Sequence, residues 1–514
     1  GIILSGGGSV DNAGEIVGVA GGVFIQGTAL NSAPGEDRSG LTASVVNSGL
    51  IHGTGDLGGS GGDGYGVGFG SDMSSATLEN SGTILSDFGA AVSQGSRADV
   101  TVTNLEGGTI EGATSGIYSF ATGTLAVDNA GTIRGNGSYD GFAAAPDAGI
   151  TITTATSSVT NSGTISGAGA GITTAYQFDD DIGDLVGIAI GTTVENSGTI
   201  SGESNDGVRL IGGGTVTNSG TITGAGASFA DGVSMYTYDG QDGESFAANV
   251  VNSASGTIGG DRFGIILSGG GTVDNAGTIT GTTGGVLIQS DLADTPGLLG
   301  NFINSGTITS ADGEAIIAHV QSNVTNAGTL SGGNGVAIQL DAYDDVVTLK
   351  TGSAVDGLID AGAGEDNLVL DGDILELTEA QQLTAVSGFE ALTVAAGYWS
   401  TSGMVGEFGN VVIDEGAALQ VNEVAGEDGG ESPILTPAVT TNGLLVLNFG
   451  DDETVSNLDE LTISGSGKLQ LIGDAVFTVD TDTVAHTGGT IVSNGGLVLT
   501  GLLQGDVKTE GDGY

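Results

Sequence analysis

Sixty-two aspartates and glutamates stand against eight lysines and arginines in this 514-residue chain, so its chemistry must be sought first among carboxylates. The densest acidic run is Asp179, Asp180 and Asp181, with Asp184 close behind; Asp344–Asp345 and Asp451–Asp452 are shorter pairs. Paired carboxylates serve glycoside hydrolysis, one as acid and the other as base or nucleophile. Loops of Asp and Gly can instead supply the oxygens that Ca²⁺ takes from carboxylates and carbonyls. The segment GAGEDNLVL at 362–370 matches half of a Ca²⁺-binding nonapeptide, with Asp366 at the ligand position and the second glycine missing. Asp179, Asp180, Asp181 and Asp366 are therefore the candidate metal ligands, and Ca²⁺ is the only cofactor suggested.

Basic groups are few and scattered. The arginines are Arg38, Arg97, Arg134, Arg209 and Arg262, the lysines Lys350, Lys468 and Lys508, and the histidines His52, His319 and His486. Eliminative cleavage of a sugar acid needs a base and positive groups held against developing negative charge, and no two arginines are neighbours in sequence. The three histidines read as solvated turn or surface residues. No catalytic residue is assigned, and the chain is expected not to be an enzyme. Aromatic residues offer a different chemistry. Tyr176 and Phe178 accompany the Asp179–Asp181 run, and Tyr238 and Phe246 flank the acidic segment 239–244. Exposed aromatics dominate many binding surfaces, so these four are the candidate partner contacts.

What must position these residues is a repeat. The unit V-x-N-[SA]-G-T-I-x-G is anchored at Asn12, Asn47, Asn80, Asn104, Asn129, Asn161, Asn196, Asn218, Asn252, Asn275, Asn304 and Asn326, at spacings from 22 to 35 residues. Residues 1–26 match 264–289 at 20 of 26 positions. A minimal period with tolerated insertions marks a stacked array. Each unit reads as three short strands, V-x-N, T-I-x-G and G-[VI]-x-[IL]. Alternation places Val216, Ile222, Val208 and Leu210 inside and Thr217, Thr223 and Arg209 outside. Coiling the chain and stacking equivalent strands buries the apolar face that one unit cannot bury alone. The expected fold is all-β, a right-handed parallel β-helix, or β-solenoid, since parallel crossovers are almost always right-handed. Gly and Asn at the corner are expected to adopt φ > 0, and the asparagines to bond amide to amide along the axis. Insertions at 27–44, 175–192, 237–248 and 290–300 follow the third strand and would form one ridge.

The pattern changes near Asp341. Residues 341–514 hold 30 acids and 3 lysines, and residues 1–340 hold 32 acids and 5 arginines. Two regions are expected: 1–340, the N-[SA]-G-T-I coils, and 341–514, an acidic continuation without the asparagine corner. Strands are expected there at 346–349, 367–370, 391–395, 411–414, 444–449, 461–464, 468–472, 476–479 and 496–500, with one helix at 377–385. The net charge of −54 repels nucleic acid and anionic lipid. There is no cysteine, and no apolar run approaches the roughly 20 residues that span a bilayer as a helix.

The twelve N-[SA]-G-T-I units, TGSAVDGLIDAGAGEDNLVL at 351–370, GFEALTV at 388–394, GSGKLQL at 465–471, TGGTI at 487–491 and GGLVL at 495–499 together resemble large adhesin-like passengers of bacterial autotransporters, the type V secretion family. The resemblance covers nearly the whole chain. It implies a β-helical passenger on the bacterial cell surface or released from it. It implies roles in adhesion, aggregation, biofilm or surface structure, with cell-surface proteins, glycans or copies of itself as partners. It also implies an outer-membrane translocator barrel in the full product. The competing expectations are a carbohydrate-active β-helix enzyme, which an arginine–acid cluster would favour, and a filament subunit joining end to end.

Overall fold

The computed structural model describes residues 1–27, 40–55, 64–70, 73–95, 98–120, 123–137, 147–153, 157–175, 177–179, 184–186, 191–226, 229–236, 247–290, 298–373, 380–401, 408–422, 438–449, 455–457, 462–479, 484–511 and 513, with backbone alone at 177–179, 184–186, 449 and 455–457. Among the described residues there are only strands, turns and bends, so no helix is long and apolar enough to cross a membrane. The chain divides into two compact units, Gly1–Pro296 and Gly297–Tyr514. Each is a parallel β-helix.

In the first unit three strand columns run along the axis. The asparagine column includes Leu125–Asn129, Ser158–Asn161, Thr192–Asn196, Gly214–Asn218 and Ala248–Asn252, paired in parallel with Asn on Asn. The second column stacks Thr164–Gly167, Thr199–Gly202, Thr221–Gly224, Thr257–Gly260 and Thr278–Gly281 in strict register. Ile165, Ile200, Ile222, Ile258 and Ile279 are thus consecutive rungs, all fully buried. The third column runs through Ile172–Thr174, Val208–Ile211, Val233–Tyr236, Phe263–Ser268 and Gly284–Gln289.

The first two columns alternate as a half-buried strand should. The third does not. Phe263–Ser268 is buried at all six positions, and Gly284–Gln289 at five of its six. Ser234, Ile266 and Leu287, one register column with Arg209, are buried on the side expected to face solvent. Two-sided burial explains why these strands read FGIILS and GGVLIQ, continuous apolar runs rather than alternation.

The asparagine ladder is present. Asn12, Asn47, Asn80, Asn104, Asn129, Asn161, Asn196, Asn218, Asn252 and Asn275 are buried, and from Asn12 through Asn252 each Nδ2 donates to Oδ1 of the next at 2.8–2.9 Å. The same Nδ2 reaches carbonyls on both coils; Asn218 Nδ2 lies 3.1 Å from Gly220 O and 3.2 Å from Thr257 O.

The glycine of the corner has a different purpose from the one expected. Gly49, Gly82, Gly163, Gly198 and Gly220 do not have positive φ. A Cβ at Gly220 would lie 2.1 Å from the carbonyl oxygen of Gly198, and one at Gly198 would lie 2.1 Å from that of Gly163. That carbonyl accepts the N–H of the next coil's Thr, as Gly198 O does from Thr221 at 2.8 Å. Close backbone stacking, not left-handed conformation, demands glycine here. Positive φ occurs instead after the third strand, at Gly212, Gly213 and Gly214.

The second unit keeps the axial pairing. Leu299–Asn304, Gln321–Asn326, Val346–Lys350, Asn367–Asp371, Ala391–Val394, Asn410–Ile413, Ala438–Thr441 and Thr462–Ser464 form one parallel column. Asn304 Nδ2 donates to Asn326 Oδ1 at 2.8 Å. The compositional change at Asp341 falls inside this unit and does not interrupt pairing, because Gln321–Asn326 lies directly on Val346–Lys350. The strands expected here from 346 to 500 are found within a residue or two at their ends. Of the segment expected as a helix, 377–385, residues 377–379 lie outside the described residues, and 380–385 holds no helix. Gln381–Leu383 is a strand paired with Tyr398–Thr401, and Leu383 is buried. A nine-residue segment gains little from an isolated helix, whereas a strand on the neighbouring coil pairs its backbone and buries its leucine.

Replacing Ile222 by Asp puts a lone charge between Ile200 and Ile258, which costs several kcal/mol. Circular dichroism melting should show the first unit unfolding at much lower temperature, while Thr223→Asp, on the outward side of the same strand, should melt close to the parent.

Candidate functional site

Stacking brings together two arginines that sequence keeps apart. Arg209 and Ser234 are register partners on adjacent coils, as are Ile211 and Tyr236. Asp206 and Asp231 each lie two residues before a paired valine, Val208 and Val233, so they fall in one column with Phe263. Both carboxylates are buried. Asp206 accepts from Asp231 N–H at 2.9 Å and from the Ser234 hydroxyl. Asp231 accepts from Phe263 N–H at 3.1 Å and holds Arg262 by both oxygens, with Nε on Oδ1 at 2.9 Å and Nη2 on Oδ2. The Arg262 guanidinium also lies 5.5 Å from the ring centres of Phe229 and Phe263, and Phe229 is 71% exposed. Arg209 sits 5.4 Å from the Tyr236 ring, and its buried Nε has no partner among the described residues.

Burial pushes the Asp206 carboxyl up to about 6, against the pull of Ser234 and the Asp231 N–H. Burial also raises Asp231, opposed by Arg262. Asp231 has its oxygens committed to Arg262 and the Phe263 N–H, whereas Asp206 is held by the Ser234 hydroxyl and the Asp231 N–H, with no cation hydrogen-bonded to it among the described residues. The sequence signal for this cluster was the doublet D-G-V, at Asp206-Gly207-Val208 and again at Asp231-Gly232-Val233. Its meaning depends on register, which the intervening insertion conceals.

A second acidic constellation surrounds Asp366. Val346, Asn367 and Ala391 are register partners, so the residues just before them, Asp345, Asp366 and Glu390, occupy one corner on three successive coils. Each carboxylate reaches back one coil. Asp345 Oδ1 accepts from Ser322 N–H at 2.6 Å, Asp366 Oδ1 from Asp345 N–H at 2.7 Å, and Glu390 Oε2 from Asp366 N–H at 2.7 Å. Asp345 and Asp366 are 0% and 1% exposed. Their second oxygens, both Oδ2, are buried without a hydrogen-bond partner among the described residues. Desolvation, with the charges of Asp366, Asp344 and Asp341, pushes Asp345 up to about 7; desolvation, with Glu390, Asp344 and Glu365, pushes Asp366 up to about 6. Among the described residues no three His, Asp or Glu side chains are grouped to hold a metal ion. Asp366, a metal candidate from the sequence, here accepts the chain's own Asp345 N–H.

The remaining sequence candidates distribute as follows. Tyr176, Asp180, Asp181, Tyr238 and Phe246 lie outside the described residues; Phe178 and Asp179 are described by backbone only, in the strand Gln177–Asp179, antiparallel to Asp184–Val186. His52 bonds Asp87 and His319 bonds Asp341, both at 2.8 Å and at partly exposed positions. His486 departs from expectation. It is fully buried, its Nε2 lies 3.0 Å from Thr490 Oγ1, its Nδ1 has no partner among the described residues, and burial lowers its pKa. It closes a turn inside a coil, where Thr490 and the Gly489 carbonyl hold the ring.

Scans against family models, curated proteins and solved structures find no match to this chain.

Removing Arg262 leaves Asp231 buried without its cation. Arg262→Ala should cost about 3 kcal/mol, whereas Arg134→Ala, at a pair with Glu203 exposed by about half on both sides, should cost at most about 1 kcal/mol. Denaturant melts of the two variants, compared at equal ionic strength, check the ranking.

Proposed function

We propose that the chain is an extracellular, non-catalytic β-helical passenger, displayed on or released from a bacterial surface, that acts in adhesion or cell aggregation. The observation that carries this reading is the asparagine column. Ten buried amides in the first unit are devoted to joining one coil to the next. A chain organised around axial continuity suits holding binding elements at intervals. The sequence resemblance to autotransporter passengers supports the same reading and brings with it a translocator barrel in the full product. Self-repulsion at a net charge of −54 reaches roughly 10 Å at 0.1 M salt, so partners must be engaged by short-range contacts. The aromatic residues Tyr176, Phe178, Tyr238 and Phe246 are the proposed contacts, with Ca²⁺ at Asp179–Asp181 as a proposed bridge between acidic surfaces.

A second reading, a carbohydrate-active β-helix enzyme, is favoured by one observation, the meeting of Arg209 and Arg262 with Asp206 and Asp231. Arg262 and Asp231 are engaged with each other, which leaves Asp206 and Arg209 as the groups able to act. Release of reducing ends from an acidic polysaccharide by the parent but not by Asp206→Asn would establish this reading over the first.

Changing Tyr176, Phe178, Tyr238 and Phe246 together to Ser touches none of the described core side chains. The variant should keep the parental melting profile and lose most of the sedimentation of cells that display it. Unchanged sedimentation by a folded variant would remove these aromatics from the adhesive surface.

A further inference from the structure

A column of side chains inside a β-helix must satisfy one condition: every buried donor needs an acceptor, and every buried acceptor a donor. Asparagine meets it by itself, because its amide donates on one side and accepts on the other. Ionised aspartate cannot, because it only accepts. In the second unit the corner formed by Asp345, Asp366 and Glu390 is built from acceptors, and only one oxygen of each is answered by an N–H. The other oxygens of Asp345 and Asp366 are buried with no donor among the described residues. Adjacent coils lie about 4.8 Å apart, so two buried like charges would face each other at that spacing.

We propose that the Asp345–Asp366 column is a proton-binding site that consolidates the second unit in mildly acidic surroundings and loosens it as the pair ionises. The charged groups around it favour proton uptake. Asp341 and Asp344 precede Asp345 on its own coil, Glu365 and Glu390 lie on the next two, and all of them act to raise one or both carboxyls. The bases on the neighbouring strands are engaged elsewhere. His319 is held by Asp341, and Lys350, at the other end of the Val346–Lys350 strand, is held by Asp371.

The sign follows from linkage. An unfolded aspartate titrates near ~3.9, and burial with the facing acids pushes Asp345 up to about 7 and Asp366 up to about 6 in the folded state. Between those limits the folded state holds more protons than the unfolded state. The stabilisation is fully present below the unfolded value and is lost as pH rises through the folded values. The site does not depend on the chain being a passenger; it rests on the corner geometry alone.

Trp399 is the chain's only tryptophan, is fully buried and lies in the second unit, so its emission reports the melting of that unit in the intact chain. The experiment is melting of the full chain at pH 5 and pH 8 with chelator present. The parent midpoint should fall by several degrees between the two. Asp345→Asn with Asp366→Asn keeps the answered oxygen and removes the charge, so it should raise the midpoint at pH 8 and flatten the profile. Asp373→Asn with Glu415→Gln removes the same charge from exposed positions of the same unit and should keep the parental slope. A flat parental profile overturns the proposal, and so does a double Asn variant whose slope matches that of the exposed control. If the double variant does not fold, single Asp366→Asn is measured under the same criterion. Addition of Ca²⁺ at pH 8 is the last arm. Recovery of the pH 5 midpoint in the parent, but not in the Asn variant, would make the column a cation site and overturn proton binding.

Discussion

A β-helix is held by what passes between one coil and the next. Backbone N–H and C=O groups do most of this along the strands, but at each corner the backbone turns and a side chain must take over. In the first unit that side chain is asparagine, and nearly every other feature of the repeat follows from its choice. The amide needs the next amide at 2.8–2.9 Å, which fixes the register of the V-x-N strands. Fixed register lets Ile200 sit on Ile222 and Ile222 on Ile258. The stacking distance in turn brings the corner backbones so close that only glycine fits where Gly198 meets Gly220. Asn, Gly and Ile thus recur together because one spacing constrains all three. Because every amide points the same way, each bond polarises the next, and such chains are stronger than isolated pairs.

The acidic corner of the second unit shows what happens when the same geometry is filled by a group with only half of asparagine's capacity. Asp345 and Asp366 still join coils, now through N–H groups of the coil before. The joint becomes conditional on the solution, because a carboxylate without a second donor is content only when its charge is relieved. The Asp206–Asp231 cluster meets a similar difficulty by recruiting Arg262 and Ser234. Two solutions to one electrostatic problem therefore lie in the two units, one met by a fixed cation and the other left to the medium.

The repeat, the strand positions and the inward isoleucines were legible from sequence because each depends on period and alternation within a single unit. What depends on which coil lies above which was not. Arg209 and Arg262 are 53 residues apart in number yet share one cluster, and only the register across an insertion reveals it. Asp366 was singled out for its glycine-rich context, but its partner Asp345 belongs to a coil with a different local sequence. The corner glycines hide their cause for a related reason: in sequence a glycine looks the same whether it serves a turn or a close approach. His486 is buried although neither its neighbours nor its spacing distinguish a turn in solvent from a turn folded into a coil. In the described part of the 377–385 segment, helical composition over a short stretch is outweighed by a neighbouring strand edge.

The asparagine column also bears on how the protein ages. An asparagine followed by Ser, Ala or Gly loses its amide when the next backbone nitrogen attacks the side-chain carbonyl, closing a five-membered imide. In this fold that nitrogen is occupied. Ser197 N–H donates to Asn161 O at 2.8 Å, Ser219 to Asn196 O at 2.8 Å, and Ala276 to Asn252 O at 2.8 Å. The departing amide is bound as well, between the next amide and two carbonyls. A motif that a loose chain would lose over time is thereby made durable by stacking. Where a coil opens, each asparagine converted to aspartate turns a rung that gives and takes into one that only takes.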